Sequence, residues 1–167
     1  MTLTLLSDLV FGVWAVAVAI GDCRSRRVPN ALVVAGLCAA LAASVLHAGP
    51  ARIDVAQALG AAVVGLAALM PFFVLGVMGA GDVKVFAVLG AWCGLHLLPG
   101  LWIAASIAAG VHAAATLLVL RRRSSAARYQ GVQIFMVGGR RGTPYAACLT
   151  VSAVAWLAWQ FALGGIR

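Results

Sequence analysis

Between Val85 and Leu120 the chain carries no aspartate, glutamate, lysine or arginine. A single helix over that stretch would measure roughly 54 Å at ~1.5 Å per residue, against a hydrocarbon core of ~30 Å. The stretch must therefore fold back on itself, and Leu98-Pro99-Gly100 supplies turn chemistry for the reversal. Further apolar runs cover Leu3 to Ile20, Ala31 to Leu46, Val55 to Val77 with Pro71 as a kink point, and Tyr145 to Leu163. The expected fold is all-α: a polytopic membrane protein of six transmembrane helices, built as a single membrane-embedded domain over residues 1–167. A composition that is 64% hydrophobic and 10% charged argues against a water-exposed globule. The runs do not alternate in polarity, which argues against a membrane β-barrel. The first run lacks a basic leading region and feeds directly into a basic loop, so it reads as a retained helix and not as a signal peptide.

Charge fixes the expected orientation. With six spans, Arg24, Arg26, Arg27, Lys84, Arg121 to Arg123, Arg128, Arg140 and Arg141 share one face, and only Arg52 and Arg167 fall on the other. That asymmetry places the loaded face in the cytoplasm and both termini outside. It also explains the formal charge of +8 as topology signals and contacts to anionic membrane lipid, with no nucleic-acid partner. The segment from Arg128 to Gly142, which includes Gln133 to Val137, is the longest expected cytoplasmic stretch. Either it lies in the interface or contacts substrate, or it is an ordinary connector.

There is no glutamate, and the four aspartates are Asp8, Asp22, Asp54 and Asp82. Asp8 and Asp54 lie toward the outer face and read as solvated or capping residues. Asp22 ends the first span and Asp82 begins the fourth, so the same topology brings both to the cytoplasmic boundary. A single aspartate there would read as a helix cap. Two within a few ångströms share a proton, and such a pair can activate water and protonate a leaving amine. The N-terminal dipole of its helix favours the anion of Asp82, whereas Asp22 at a helix C-terminus feels the opposite bias, so Asp82 is expected to be the more acidic member. Gly79 and Gly81 permit close backbone approach, with room for an extended substrate strand. Gly60, Gly65, Gly90 and Gly94 read as small-residue helix packing.

Cys23, Cys38, Cys93 and Cys148 form no CxxC pair and are expected to be small buried thiols, and His47, His96 and His112 are scattered. No metal site and no cofactor are expected. A transporter relaying protons through Asp22 and Asp82 is a competing reading, weakened by the placement of both acids at one membrane edge. A non-catalytic pilus or secretion assembly factor is another.

Gly79-Ala80-Gly81-Asp82-Val83-Lys84 resembles the GxGDxK signature of the type IV prepilin peptidases, membrane aspartic proteases of the GxGD class. Asp22-Cys23-Arg24-Ser25-Arg26-Arg27-Val28-Pro29-Asn30 is similar to that family's second signature, an aspartate followed by a basic stretch and a Pro-Asn pair. Gly142-Thr143-Pro144-Tyr145-Ala146 resembles its last-helix motif, but without the glycine after the aromatic residue. The resemblance implies Asp22 and Asp82 as the catalytic pair. It carries over Gly79, Gly81, Lys84, Pro29 and Asn30 as motif or substrate-loop members only, Lys84 either holding the loop or meeting lipid. It further implies an aspartic endopeptidase of the bacterial inner (cytoplasmic) membrane, acting at the cytoplasmic face on a prepilin or pseudopilin. Larger family members carry paired CxxC motifs in a zinc-associated cytoplasmic insertion linked to methylation. Their absence implies the short, peptidase-only form, similar to proteins of tight-adherence Flp-type pili, with no methyltransferase activity.

Overall fold

A computed structural model describes residues 2–128 and 144–162. Six helices follow in order: α1 (Thr2–Ser25), α2 (Asn30–Val45), α3 (Val55–Val74), α4 (Ala80–Cys93), α5 (Leu98–Arg128) and α6 (Tyr145–Ala162). Four of them, α1, α3, α5 and α6, contain stretches long and apolar enough to cross a membrane. At 16 and 14 residues, α2 and α4 are shorter. Gln133 to Val137, Arg140, Arg141 and Arg167 lie outside the described residues.

The reason α4 can be short is visible in its surroundings. Val85, Phe86, Val88, Leu89 and Trp92 are all buried, so the helix is apolar around its whole circumference, the pattern of a helix enclosed by others. It packs against α2, α3, α5 and α6, most extensively against α3. The outer helices instead turn hydrocarbon outward: Val13 on α1, Val63 on α3, Ile107 and Val111 on α5, and Val151 and Trp159 on α6 are exposed. A lipid environment satisfies these faces, whereas water would not.

Close approaches set the packing. Phe11, Trp14 and Val18 form one buried face of α1, and the Phe11 ring meets Trp92 of α4 at a centroid distance of 5.3 Å. The Trp14 indole Nε1 donates to the Leu32 carbonyl at 2.9 Å and lies over Gly36, fixing α1 to α2. Gly90 allows α4 to lie directly against the α3 backbone, because a Cβ there would stand 2.5 Å from the Ala61 carbonyl oxygen.

Three boundaries differ from the sequence expectation. The reversal after α4 falls at Gly94, whose φ of 77° is the left-handed conformation that glycine adopts without penalty, so Gly94 is a turn residue and not a packing one. Pro99 and Gly100 then sit in the first turn of α5, where a missing proline N–H costs nothing. α3 stops at Val74 and is followed by a turn in which Val77 and Met78 both donate to the Phe72 carbonyl. α5 continues to Arg128, so Arg121 to Arg123 are helical and not loop residues. Of the cysteines, Cys93 is buried as expected and Cys148 half-buried, whereas Cys23 and Cys38 depart from expectation and are exposed. Cys38 lies on α2, where an exposed small thiol is compatible with an apolar surround.

Candidate active site

The α1–α2 turn is built to bring a carboxylate inward. α1 runs three residues past Asp22, so that side chain projects from the last helical turn and does not end the helix. Arg26 adopts a left-handed φ of 51° and donates its N–H to the Asp22 carbonyl at 2.9 Å. Ser25 Oγ bonds the carbonyls of Gly21 at 2.8 Å and Arg27 at 3.2 Å, closing the turn. Pro29, extended at φ −60° and ψ 138°, then caps α2, its carbonyl accepting from the amides of Leu32 and Val33.

The α3–α4 turn presents the second carboxylate. Gly79 is the N-cap of α4, and Asp82, three residues on, accepts its N–H at 3.2 Å through Oδ2. Gly79 has an ordinary extended backbone, φ −76° and ψ 150°, so the motif glycines are not used here for forbidden dihedrals. Gly81 instead leaves space: a Cβ there would touch Val28 Cγ2 at 3.5 Å, and the α1–α2 turn seats on the first turn of α4. Lys84 Nζ donates to Asn30 Oδ1 at 2.9 Å, the first residue of α2.

Asp22, Arg26, Arg27, Val28, Gly79 to Asp82, Lys84 and Pro144 therefore line one cleft of about 460 Å³. Asp22 is buried to 6% exposure, and its Oδ2 accepts the backbone N–H of Ala147 at 3.0 Å. The neighbouring Ala146 amide favours the anion of Asp82. The first amides of α6 thus act on the cleft carboxylates, Ala147 through its hydrogen bond to Asp22 and Ala146 by favouring the Asp82 anion, with the positive end of that helix facing both. This third motif, Gly142 to Ala146, lacks the glycine after the aromatic residue. Its usable signal was Pro144 immediately ahead of an apolar helix, the placement that marks a helix start and leaves its first amides free for other acceptors. Behind it, Tyr145 OH and Ser106 Oγ share a hydrogen bond of 2.9 Å that ties α6 to α5.

Asp82 belongs to α4, outside the four span-length helices. Burial, reinforced by the negative charge of Asp22, pushes its carboxyl up to about 6, against the opposing pull of the Gly79 and Ala146 amides. The expected acidifying influence of the α4 N-terminus is outweighed, because desolvation in the cleft exceeds what a helix end contributes.

The other sequence candidates go elsewhere. Asp54 caps α3, accepting the Gln57 N–H at 2.7 Å. Asp8 is not simply solvated: it shares a small pocket with Thr4, Arg52 and Gln160 at the opposite end of the bundle, and its Oδ1 is buried with no hydrogen-bond partner among the described residues. Among the described residues no group of three His, Cys, Asp or Glu side chains converges as a metal site would require.

No match to the chain was found among curated proteins or solved structures. The sequence model of the type IV leader peptidase family matches residues 9–114, a span that contains both cleft aspartates and more than half of the molecule, and the chain belongs to that family of peptidases.

Proposed function

We propose that the protein is an aspartic endopeptidase in which Asp22 and Asp82 act as a dyad, removing the leader peptide of a prepilin or pseudopilin. The observation that carries this reading is the delivery of two carboxylates, from helices far apart in sequence, to one cleft at the N-terminus of α6, where the Ala147 amide bonds Asp22. Sharing one proton, the pair provides base and acid together: the ionised carboxylate takes a proton from water as it attacks the scissile carbonyl, and the protonated one donates to the reaction centre. No covalent intermediate and no cofactor are needed.

The basic residues beside the cleft support a cytoplasmic active-site face of a bacterial inner-membrane protein. A cleft at the helix ends suits a substrate cut just before its hydrophobic helix, the helix itself staying in lipid. The four cysteines, none in a CxxC pair, favour the peptidase-only form found with small Flp-type prepilins.

The test is cleavage of a small prepilin by the protein in proteoliposomes, read by mass spectrometry. Expected are loss of the leader and a new N-terminus without an added methyl group. An N-methylated product would overturn the peptidase-only assignment.

A pH series examines the shared proton. Asp82 titrates among Asp22, Arg26, Arg27 and Lys84 of the same cleft, with Tyr145 of α6 close by. With Asp82 raised to about 6, the pair gives up its last proton near that pH. We therefore expect kcat/KM to fall by up to about tenfold per pH unit above it. A flat profile from about pH 5 to 8 would contradict a proton-sharing pair.

A further inference from the structure

The roles of Lys84 and Asn30 do not follow from the proposed chemistry, yet the structure joins them across 54 residues by a 2.9 Å hydrogen bond. Their positions give that bond leverage. Lys84 lies two residues beyond Asp82 on the same helical turn, so its Cα moves rigidly with the carboxylate. Asn30 connects back to Asp22 through a stiff segment. Pro29 has a φ restricted by its ring, Arg26 is locked in a left-handed turn, and Ser25 Oγ bonds carbonyls on both sides of the bend. Gly81 receives Val28 between these two points, so the α1–α2 turn and α4 touch at a packing contact and a polar one.

We propose that Lys84 and Asn30 are a positioning pair that sets the separation of Asp22 and Asp82. This assignment rests on the dyad reading. The residue types fit the task. Lysine supplies a charged donor on a long stem, and asparagine is a neutral acceptor, so the pair is held without a further carboxylate that would compete in the cleft. The ammonium gives one of its three N–H donors to Asn30, a contact within the protein that a role in meeting lipid phosphate does not call for.

The experiment uses the full chain in proteoliposomes with a small prepilin as substrate, and compares Lys84→Met, Asn30→Leu, their combination, and the conservative Lys84→Arg and Asn30→Gln. If the bond positions the carboxylates, each disruptive variant lowers kcat by about 10- to 100-fold with KM within about twofold, since displacement by ~1 Å costs on that order. The double variant is then no slower than the slower single one, as expected for two partners of one interaction. Lys84→Arg and Asn30→Gln, which keep a cationic donor and a neutral amide acceptor, recover most of the turnover.

A rise in KM with kcat preserved would make Lys84 a substrate contact and overturn the proposal. So would losses that multiply in the double variant, or full activity in both singles. If Lys84→Met does not accumulate in the membrane, Asn30→Ala, at an exposed position that begins α2, carries the same comparison. Asp22→Asn and Asp82→Asn run in parallel separate the two claims. Cleavage surviving in those variants removes the dyad itself, whereas inactive aspartate variants beside fully active Lys84 and Asn30 variants remove only the positioning pair.

Discussion

Asp82→Asn is expected to abolish leader cleavage, with a loss of at least about 10³-fold in kcat, and to make the protein more stable at neutral pH. The first effect follows from the shared proton: an amide neither ionises nor passes on a proton, so water loses its base or the reaction centre its acid. Asp22→Asn should lose as much, and the double variant no more, as expected of two carboxylates that act as one unit. Retention of normal processing by either single variant would sink the dyad.

The second effect separates a catalytic carboxylate from a structural one. Asp82 is raised from 3.8 to about 6, so the native state holds its proton more firmly than the unfolded chain does. Stability from this group is therefore full below about pH 4 and declines as pH rises toward 6 and beyond. At neutral pH the ionised, partly desolvated carboxylate destabilises the fold by about 1–2 kcal/mol, once solvent screening has reduced the full shift. Asparagine relieves that cost and keeps an oxygen that can accept the Gly79 amide. Thermal unfolding in detergent should show the variant melting higher at pH 7 than the parent, with the gap closing near pH 4. A lower melting point at pH 7 would mean that Asp82 is held for structure.

Gly90→Ala is expected to have the largest effect on folding. An added Cβ would lie 2.5 Å from the Ala61 carbonyl oxygen, 2.8 Å from its carbon and 3.2 Å from the Ala62 nitrogen. These are backbone atoms and cannot swing aside, so α3 and α4 must separate. Overpacking of this kind costs about 1–3 kcal/mol, at the upper end here because the obstacle is rigid, and exceeds the ~1 kcal/mol that alanine gains over glycine in a helix. Gly60→Ala on α3 is the control. Nothing lies within 4 Å of its added methyl, so it should be neutral or stabilising by up to about 1 kcal/mol. If the two variants melt alike, the close α3–α4 approach is not what Gly90 supports. Because α4 carries Asp82, residual Gly90→Ala protein should also cleave more slowly.

These outcomes sort what could be read from the chain. The helices were legible because crossing hydrocarbon is a local demand on length and polarity, and the runs from Leu3, Ala31, Val55 and Tyr145 meet or approach it independently of their neighbours. The reversal between α4 and α5 was misplaced for a related reason. Leu98-Pro99-Gly100 has turn composition, but proline and glycine are equally at home in a first helical turn, and only the backbone at Gly94 reveals where the chain bends. Cys38 was misjudged because an apolar run states that a residue avoids water, not whether protein or lipid surrounds it.

The sequence alone determined the hydrocarbon-crossing architecture and the pairing of Asp22 with Asp82 as candidates, since length, polarity and motif spacing are properties of each segment. Only the tertiary structure decided what each carboxylate meets. It set the amides of Ala146 and Ala147 against them, turned Lys84 to Asn30, and raised Asp82 when its motif position alone argued for lowering it. Those outcomes depend on desolvation and on distances of a few ångströms between segments up to 125 residues apart, which spacing along the chain does not encode.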